Sequence, residues 1–235
     1  MNQQGLLREL CYTYFMNIFG YTDDEIKLFR KLNTPAKIQD YINSIPFNFE
    51  KKEETCMSPR RVLKTNRAHC MEGALLAAAI LEFHRARPLV LDLRSVKKPH
   101  DDDHVVAVFK KDGFFGSISK TNHAVLRYRE PIYKSARELV MSFFHEYFLE
   151  DGMKTLREYS NPFDLSYFNP SSRAKLATGQ VIINWRTTEK NLWEIPKHLD
   201  KIKHHKILSS KQIKNLRKVD KIEIKASWKE EYKKR

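Results

Sequence analysis

Hydrophobic positions recur at helical spacing over the first fifty residues, and three short helices are predicted there. Leu6, Leu7, Leu10, Cys11, Tyr14, Phe15, Ile18 and Phe19 form one stripe that Gly20 closes. Thr22-Asp23-Asp24-Glu25 reads as a capping box ahead of Ile26, Phe29 and Leu32. Thr34-Pro35 starts a third helix through Ile38, Tyr41 and Ile42, ended by Pro46. Core packing is the expected role of these stripes. Residues 47–65 read as a polar connection containing Ser58-Pro59-Arg60-Arg61, whose two arginines are expected in a solvated loop, with recognition of an anionic substrate as the alternative. An alanine-rich helix then opens after Thr65-Asn66 and runs to about His84. Ala74, Ala77, Ala78 and Leu81 share the face of Cys70 on it, small enough to approach a sheet closely.

Beyond that helix the period changes from helical to alternating or continuously apolar. Strands are predicted over residues 88–94, 104–109 and 114–119, with Asp112-Gly113 as a two-residue turn between the last pair. With Lys111 opposite Phe114, Ser119 falls opposite Val106 and Thr121 opposite His104. The two-residue period places Ser117, Ser119 and Thr121 on the face that carries His104. After Glu130-Pro131, a covering helix with Ile132, Ala136, Leu139, Val140, Phe143 and Tyr147 on one face is expected before Gly152. Residues 181–185 read as a strand, 192–202 as a helix, Ser209-Ser210 as a cap through Leu216, and 222–228 as a last strand.

Charge changes the picture only near the end. The 235 residues are 41% hydrophobic and 31% charged, as in a soluble globular protein, with a formal net charge of +14. From Arg186 onward there are sixteen Lys/Arg against seven Asp/Glu, a net +9. Two parts are therefore expected, residues 1–185 as an α+β domain and 186–235 as a basic segment docked on it. Such a segment binds nucleic acid or another polyanion weakly in low salt. The longest mostly apolar run, 73–81, is too short to span a bilayer, which needs about 20 residues. Met1 to Gly5 carries no basic region typical of a secretory signal. Cys11, Cys56 and Cys70 form neither a disulfide framework nor a zinc spacing, and a cytoplasmic protein without a cofactor is expected. The run from His100 to His104 reads as an acidic turn entering a strand, not as a metal site.

Cys70 carries the candidate chemistry. It lies in the first turn of its helix, where free amide N–H groups and the helix dipole favour a thiolate. A sheet with His104 at a strand start could bring an imidazole to it, whereas His69 points elsewhere on the helix and is secondary. The segments Ala68-His69-Cys70-Met71-Glu72-Gly73-Ala74, Asp103 to Phe109 and Gly113 to Asn122 resemble the transglutaminase-like branch of the papain-like cysteine enzymes, most of all its bacterial members of unsettled activity. The resemblance covers residues 54 to about 150 and is silent about the tail. It implies N-terminal helices, a Cys-bearing helix packed on an antiparallel sheet, Cys70 as nucleophile and His104 as its base. Such families usually carry Asp or Asn, to orient the histidine, where this sequence has Ser119; Asn122 is the other candidate. The implied substrate is a peptide, amide or ester, transformed by hydrolysis or transamidation through a thioester. The rival reading is a non-catalytic module of the same fold whose basic tail contacts a polyanion.

Overall fold

The computed structural model describes residues 19–169 and 183–227. The first predicted helix, with Cys11, lies outside them apart from its last residue. Helix α1 (Asp23–Lys31) begins on the expected box: the Thr22 hydroxyl accepts from the Glu25 amide and the Glu25 carboxylate accepts from the Thr22 amide. Helix α2 (Pro35–Ser44) is capped by Thr34. The polar connection contains a further helix, α3 (Pro59–Thr65), capped by Ser58, in place of a continuous loop. Proline at the first helical position and a hydroxyl cap before it are a complete start signal, outweighed in the sequence by the charges around it. Helix α4 (Cys70–Phe83) is the alanine-rich one.

Strands β1 (Leu89–Arg94), β2 (His104–Lys111), β3 (Phe114–Ile118), β4 (Arg129–Tyr133), β5 (Glu158–Ser160), β6 (Phe163–Asp164) and β7 (His204–Lys206) form one antiparallel sheet. Its order is β4-β3-β2-β1-β5-β7, with β6 also on β1. The hairpin register is the expected one, from Lys111 opposite Phe114 to Ala107 opposite Ile118. Alternate residues of β1 and β2 serve two cores. Val90, Val105, Ala107 and Phe109 pack under α1, α2 and α4, while Leu91, Leu93, Val106 and Val108 pack under α5 (Ala136–Phe144). Helices on both faces explain why these strands read as continuous apolar runs.

Three elements depart from the pattern. Residues 129–133 are a strand, and α5 starts only after the Ser135 cap, so Ile132 is 64% exposed instead of buried. Pro131 is tolerated because β4 is an edge strand, where a missing N–H costs no ladder bond. Of the strand expected over 181–185, residues 181–182 lie outside the described residues and 183–185 are not a strand. The alternating segment near the end is helix α8 (Lys221–Ser227), started by Glu223, whose carboxylate accepts from the Asp220 amide. That local cap outweighs three alternating apolar residues.

The segment after Arg186 belongs to the same core. Strand β7 extends the sheet through β5, and Leu192, Ile195 and Leu199 of the segment carrying α6 (Glu194–Lys201) are buried with Trp185 in the first cluster. Arg186 is 1% exposed and holds Glu82 of α4 through Nε and Nη2 at 2.6 and 2.5 Å. The charge step at 185/186 is thus no edge of the core. Helix α7 (Ser210–Lys214) follows its Ser209 cap. Among the described residues no helix is long and apolar enough to cross a membrane.

Candidate active site

Two chain segments meet just before Cys70. Asn48 N–H donates to the Ala68 carbonyl at 3.0 Å and Ala68 N–H to the Pro46 carbonyl at 3.2 Å, a short parallel bridge that aims the chain into α4. His69 is the N-cap and Cys70 the first helical residue, so the sulfur leaves the turn whose amides have no helical acceptor. Behind it, α4 rests on the segment after β3 through Gly73. A Cβ there would come within 2.3 Å of the Lys120 Cβ, and only glycine permits this approach. The Lys120 ammonium is buried and held by the carbonyls of Ile42 and Ile45.

His104 opens β2 and is 7% exposed. Its Nε2 lies 2.8 Å from the Ser119 hydroxyl, which in turn lies 2.6 Å from the Leu126 carbonyl. A carbonyl only accepts, so the hydroxyl proton goes to Leu126 and the hydroxyl oxygen accepts from Nε2–H. Nδ1 is left for the cavity that Cys70 also lines. Regular β2/β3 pairing stops at Ile118, yet Ser119 stays in register because the Gln39 amide of α2 clasps its backbone: Ser119 N–H donates to Oε1 at 2.8 Å and the Ser119 carbonyl accepts from Nε2 at 2.9 Å. The orienting contact therefore belongs to Ser119. Asn122 lines the cavity above, and the ring nitrogen it would have steered is already taken.

His69 does not point away. Its Nε2 donates to the Thr55 carbonyl at 2.9 Å and lies 3.4 and 3.7 Å from the Glu72 and Glu50 carboxylates, and the ring lines the same cavity as Cys70. The thiol thus sits between two imidazoles. Burial by itself would raise its pKa, but hydrogen bonds and charge from His104 and His69 prevail and bring it down to about 5. For His69 burial again opposes charging, and the Cys70 thiolate, Glu72 and the Thr55 carbonyl push it up to about 9. His123, across the cavity, goes the other way: burial and the neighbouring His104 push it down to about 4.

The residue beneath this pair is Glu72, fully buried. Oε1 accepts from the Thr55 hydroxyl at 2.7 Å and Met57 N–H at 2.9 Å; Oε2 accepts from His69 N–H at 3.0 Å and Asn48 Nδ2 at 3.2 Å. Glu72 went unnoticed as a functional residue in the sequence. The available signal was its place three residues after the N-cap, where a carboxylate returns to the cap amide.

Above the sulfur opens a cavity of about 520 Å³, bounded by Phe47, Phe49, His123, Tyr147, Ile224 of α8 and the acidic turn 101–103. The acidic turn is tied down: Asp103 Oδ1 accepts from Ser95 N–H at 2.7 Å, Asp101 from the Thr155 hydroxyl, and the Asp102 carbonyl from Tyr147. The Asp103 carbonyl lies 3.9 Å from the sulfur. His100 is turned to solvent and His104 into the site, so the two ends of the acidic run share no ligand sphere. Thr121 is buried, accepts from His123 N–H at 3.0 Å and lines the same cavity. Arg60 and Arg61 lie elsewhere, bound to Glu25 and Asn191. Cys56 is buried, and desolvation with the charge of Glu72 pushes its thiol up to about 12.

No known protein family model matches the chain, and no curated protein matches it either.

Proposed function

We propose that the protein is a cysteine-dependent acyl-transfer enzyme with the transglutaminase-like core that the sequence resembles. One observation carries the reading: a partly exposed thiol at a helix start, its pKa brought down to about 5, faces a histidine whose far nitrogen is hydrogen-bonded, beneath an open cavity. The Cys70 sulfur attacks the carbonyl carbon of an amide or ester and the C=O electron pair moves onto oxygen. As the pair returns, the bond to the leaving group breaks, and that group takes a proton from His104. Water or an amine then gives a proton to His104, attacks the thioester and releases the thiolate. Ser119 keeps the imidazole turned for both transfers. Backbone N–H groups in the first turn of α4 supply the stabilisation of the developing oxyanion.

The test is direct. Incubation with a panel of p-nitrophenyl esters and peptide anilides, followed by intact-mass analysis after acid quenching, is expected to show an acyl adduct on Cys70 and product release. Both disappear in Cys70→Ala. Absence of any adduct across the panel, or equal turnover by Cys70→Ala, overturns the reading.

A further inference from the structure

Two imidazoles on one thiol are more than a Cys/His pair requires, and their surroundings differ. His104 is reached from one side by a neutral hydroxyl, Ser119, which accepts its Nε2–H. His69 Nε2 is reached by the Thr55 carbonyl and lies near the Glu50 and Glu72 carboxylates, so this nitrogen keeps its N–H and the two anions favour the charged form of the ring. Glu72 is itself fixed by four donors, two of them backbone amides, and cannot turn away.

We propose that His69 is a second catalytic imidazole, a fixed cation held by Thr55, Glu50 and Glu72 against the Cys70 sulfur, which keeps the thiolate populated while His104 moves the proton. The inference rests on the acyl-transfer reading and assigns separate tasks within it. His69 neither gains nor loses a proton in the cycle. The proton given to the leaving group and the one taken from water or amine both pass through His104. When the sulfur is acylated and its charge is gone, the His69 cation remains beside it and draws electron density toward the sulfur, which favours thiolate as the group expelled by the second nucleophile. The charged and titratable groups around the pair are Glu50, Glu72, His104, Asp103, Tyr147 and Cys56.

The experiment follows the rate of Cys70 alkylation by iodoacetamide from pH 4 to pH 10, read by peptide mass spectrometry. Samples are wild type, His69→Asn, His104→Gln and the double variant. Asparagine keeps a good N-cap at the start of α4. In His69→Asn the rate at pH 6 is expected to fall about tenfold, as for a midpoint that rises by about two pH units from about 5. In His104→Gln the midpoint stays at least about one unit below that of an ordinary thiol near 8.5, although turnover is lost. Only the double variant returns to the ordinary value. If His104→Gln alone does so, or if His69→Asn titrates like wild type, His69 holds no thiolate and the proposal is overturned, while the acyl-transfer reading stands. If wild-type Cys70 itself labels like an ordinary thiol, the acyl-transfer reading falls first.

A measurement on the wild type removes any dependence on how the variants fold. Nitrogen-15 spectra of labelled histidine are expected to show the His69 ring protonated through pH 8, with a midpoint that drops by at least one pH unit once iodoacetamide has capped Cys70. A midpoint unmoved by capping overturns the proposal. A merely structural His69 would change the melting temperature of its variants and leave both midpoints where they are.

Discussion

Replacing Glu72 by glutamine keeps volume and shape but removes the charge and changes one acceptor into a donor. In the native protein each carboxylate oxygen takes one backbone amide, Met57 on Oε1 and His69 on Oε2, and one side-chain donor, Thr55 or Asn48. Whichever way the new amide lies, its NH2 faces a backbone N–H that has nowhere to turn. The Thr55 hydroxyl can rotate to accept, but Met57 and His69 cannot. One buried amide is therefore left unsatisfied, at about 1–3 kcal/mol, and the retained bonds lose the charge that made each worth about 1.5–3 kcal/mol. After relaxation we expect Glu72→Gln to destabilise by about 2–4 kcal/mol. For a typical domain stability of about 5–15 kcal/mol this is a large fraction, and at about 2–4 °C per kcal/mol it lowers the melting temperature by roughly 5–15 °C. Urea unfolding followed by tryptophan fluorescence gives the value; Trp185 is buried in the same core as Met57. The substitution also takes an anion from beside His69, so Cys70 alkylation at pH 6 falls in the fraction that remains folded. A stability within about 0.5 kcal/mol of wild type would refute the account of Glu72 as a fully committed acceptor.

Three further outcomes are expected. Ser119→Ala deletes the hydroxyl that receives His104 Nε2–H and lowers Cys70-dependent turnover by about tenfold, one hydrogen bond of roughly 1.4 kcal/mol in the transition state, while Asn122→Ala lowers it less; the reverse order would return the orienting role to Asn122. Gly73→Ala drives a methyl to 2.3 Å from the Lys120 Cβ, and because that neighbour is a Cβ and not a chain end, the helix and the segment after β3 must part at a cost of about 1–3 kcal/mol, measured by urea unfolding; unchanged stability would contradict the close packing. The third outcome concerns pH. The folded thiol of Cys70 lies at about 5, below its unfolded value near 8.5, so its contribution to stability is complete above the unfolded value and is lost as pH falls through about 5. Wild type should therefore lose stability relative to Cys70→Ser between about pH 8 and pH 5, as followed by melting curves, and parallel curves would show that the thiolate is not held.

The part of the protein that its sequence determined is the part written by neighbours a few residues apart. Capping at Thr22, Thr34 and Ser209, the Asp112-Gly113 turn with its register, and the first-turn place of Cys70 are all local, and all are present in the fold. The hairpin register points Ser119 to the face of His104, since a period of two leaves no freedom once the turn is set, and beyond Ile118 the Gln39 clasp holds it there. Where local signals compete, the outcome rested on packing: residues 129–133 are a strand because an open edge accepts Pro131, and 221–227 a helix because Glu223 closes a cap.

Only the tertiary structure decided what the site residues do. His69 was legible as the neighbour of Cys70, but its partners Thr55 and Glu50 come from a loop whose path depends on the bridge between 46–48 and Ala68. Ser119 is a hydroxyl with two open directions until the Leu126 carbonyl takes its proton and makes it an acceptor. The basic segment, marked off by charge counted along the chain and expected to dock on the domain, shares the core itself, because burial is settled across the chain. Leu192, Ile195 and Leu199, worth about 1.5–3 kcal/mol each when buried, hold that segment in the core and leave its lysines at the surface among the described residues. Hydrogen-bond direction and burial both depend on which distant segments arrive at the same place, and that information lies in no stretch of the sequence read alone.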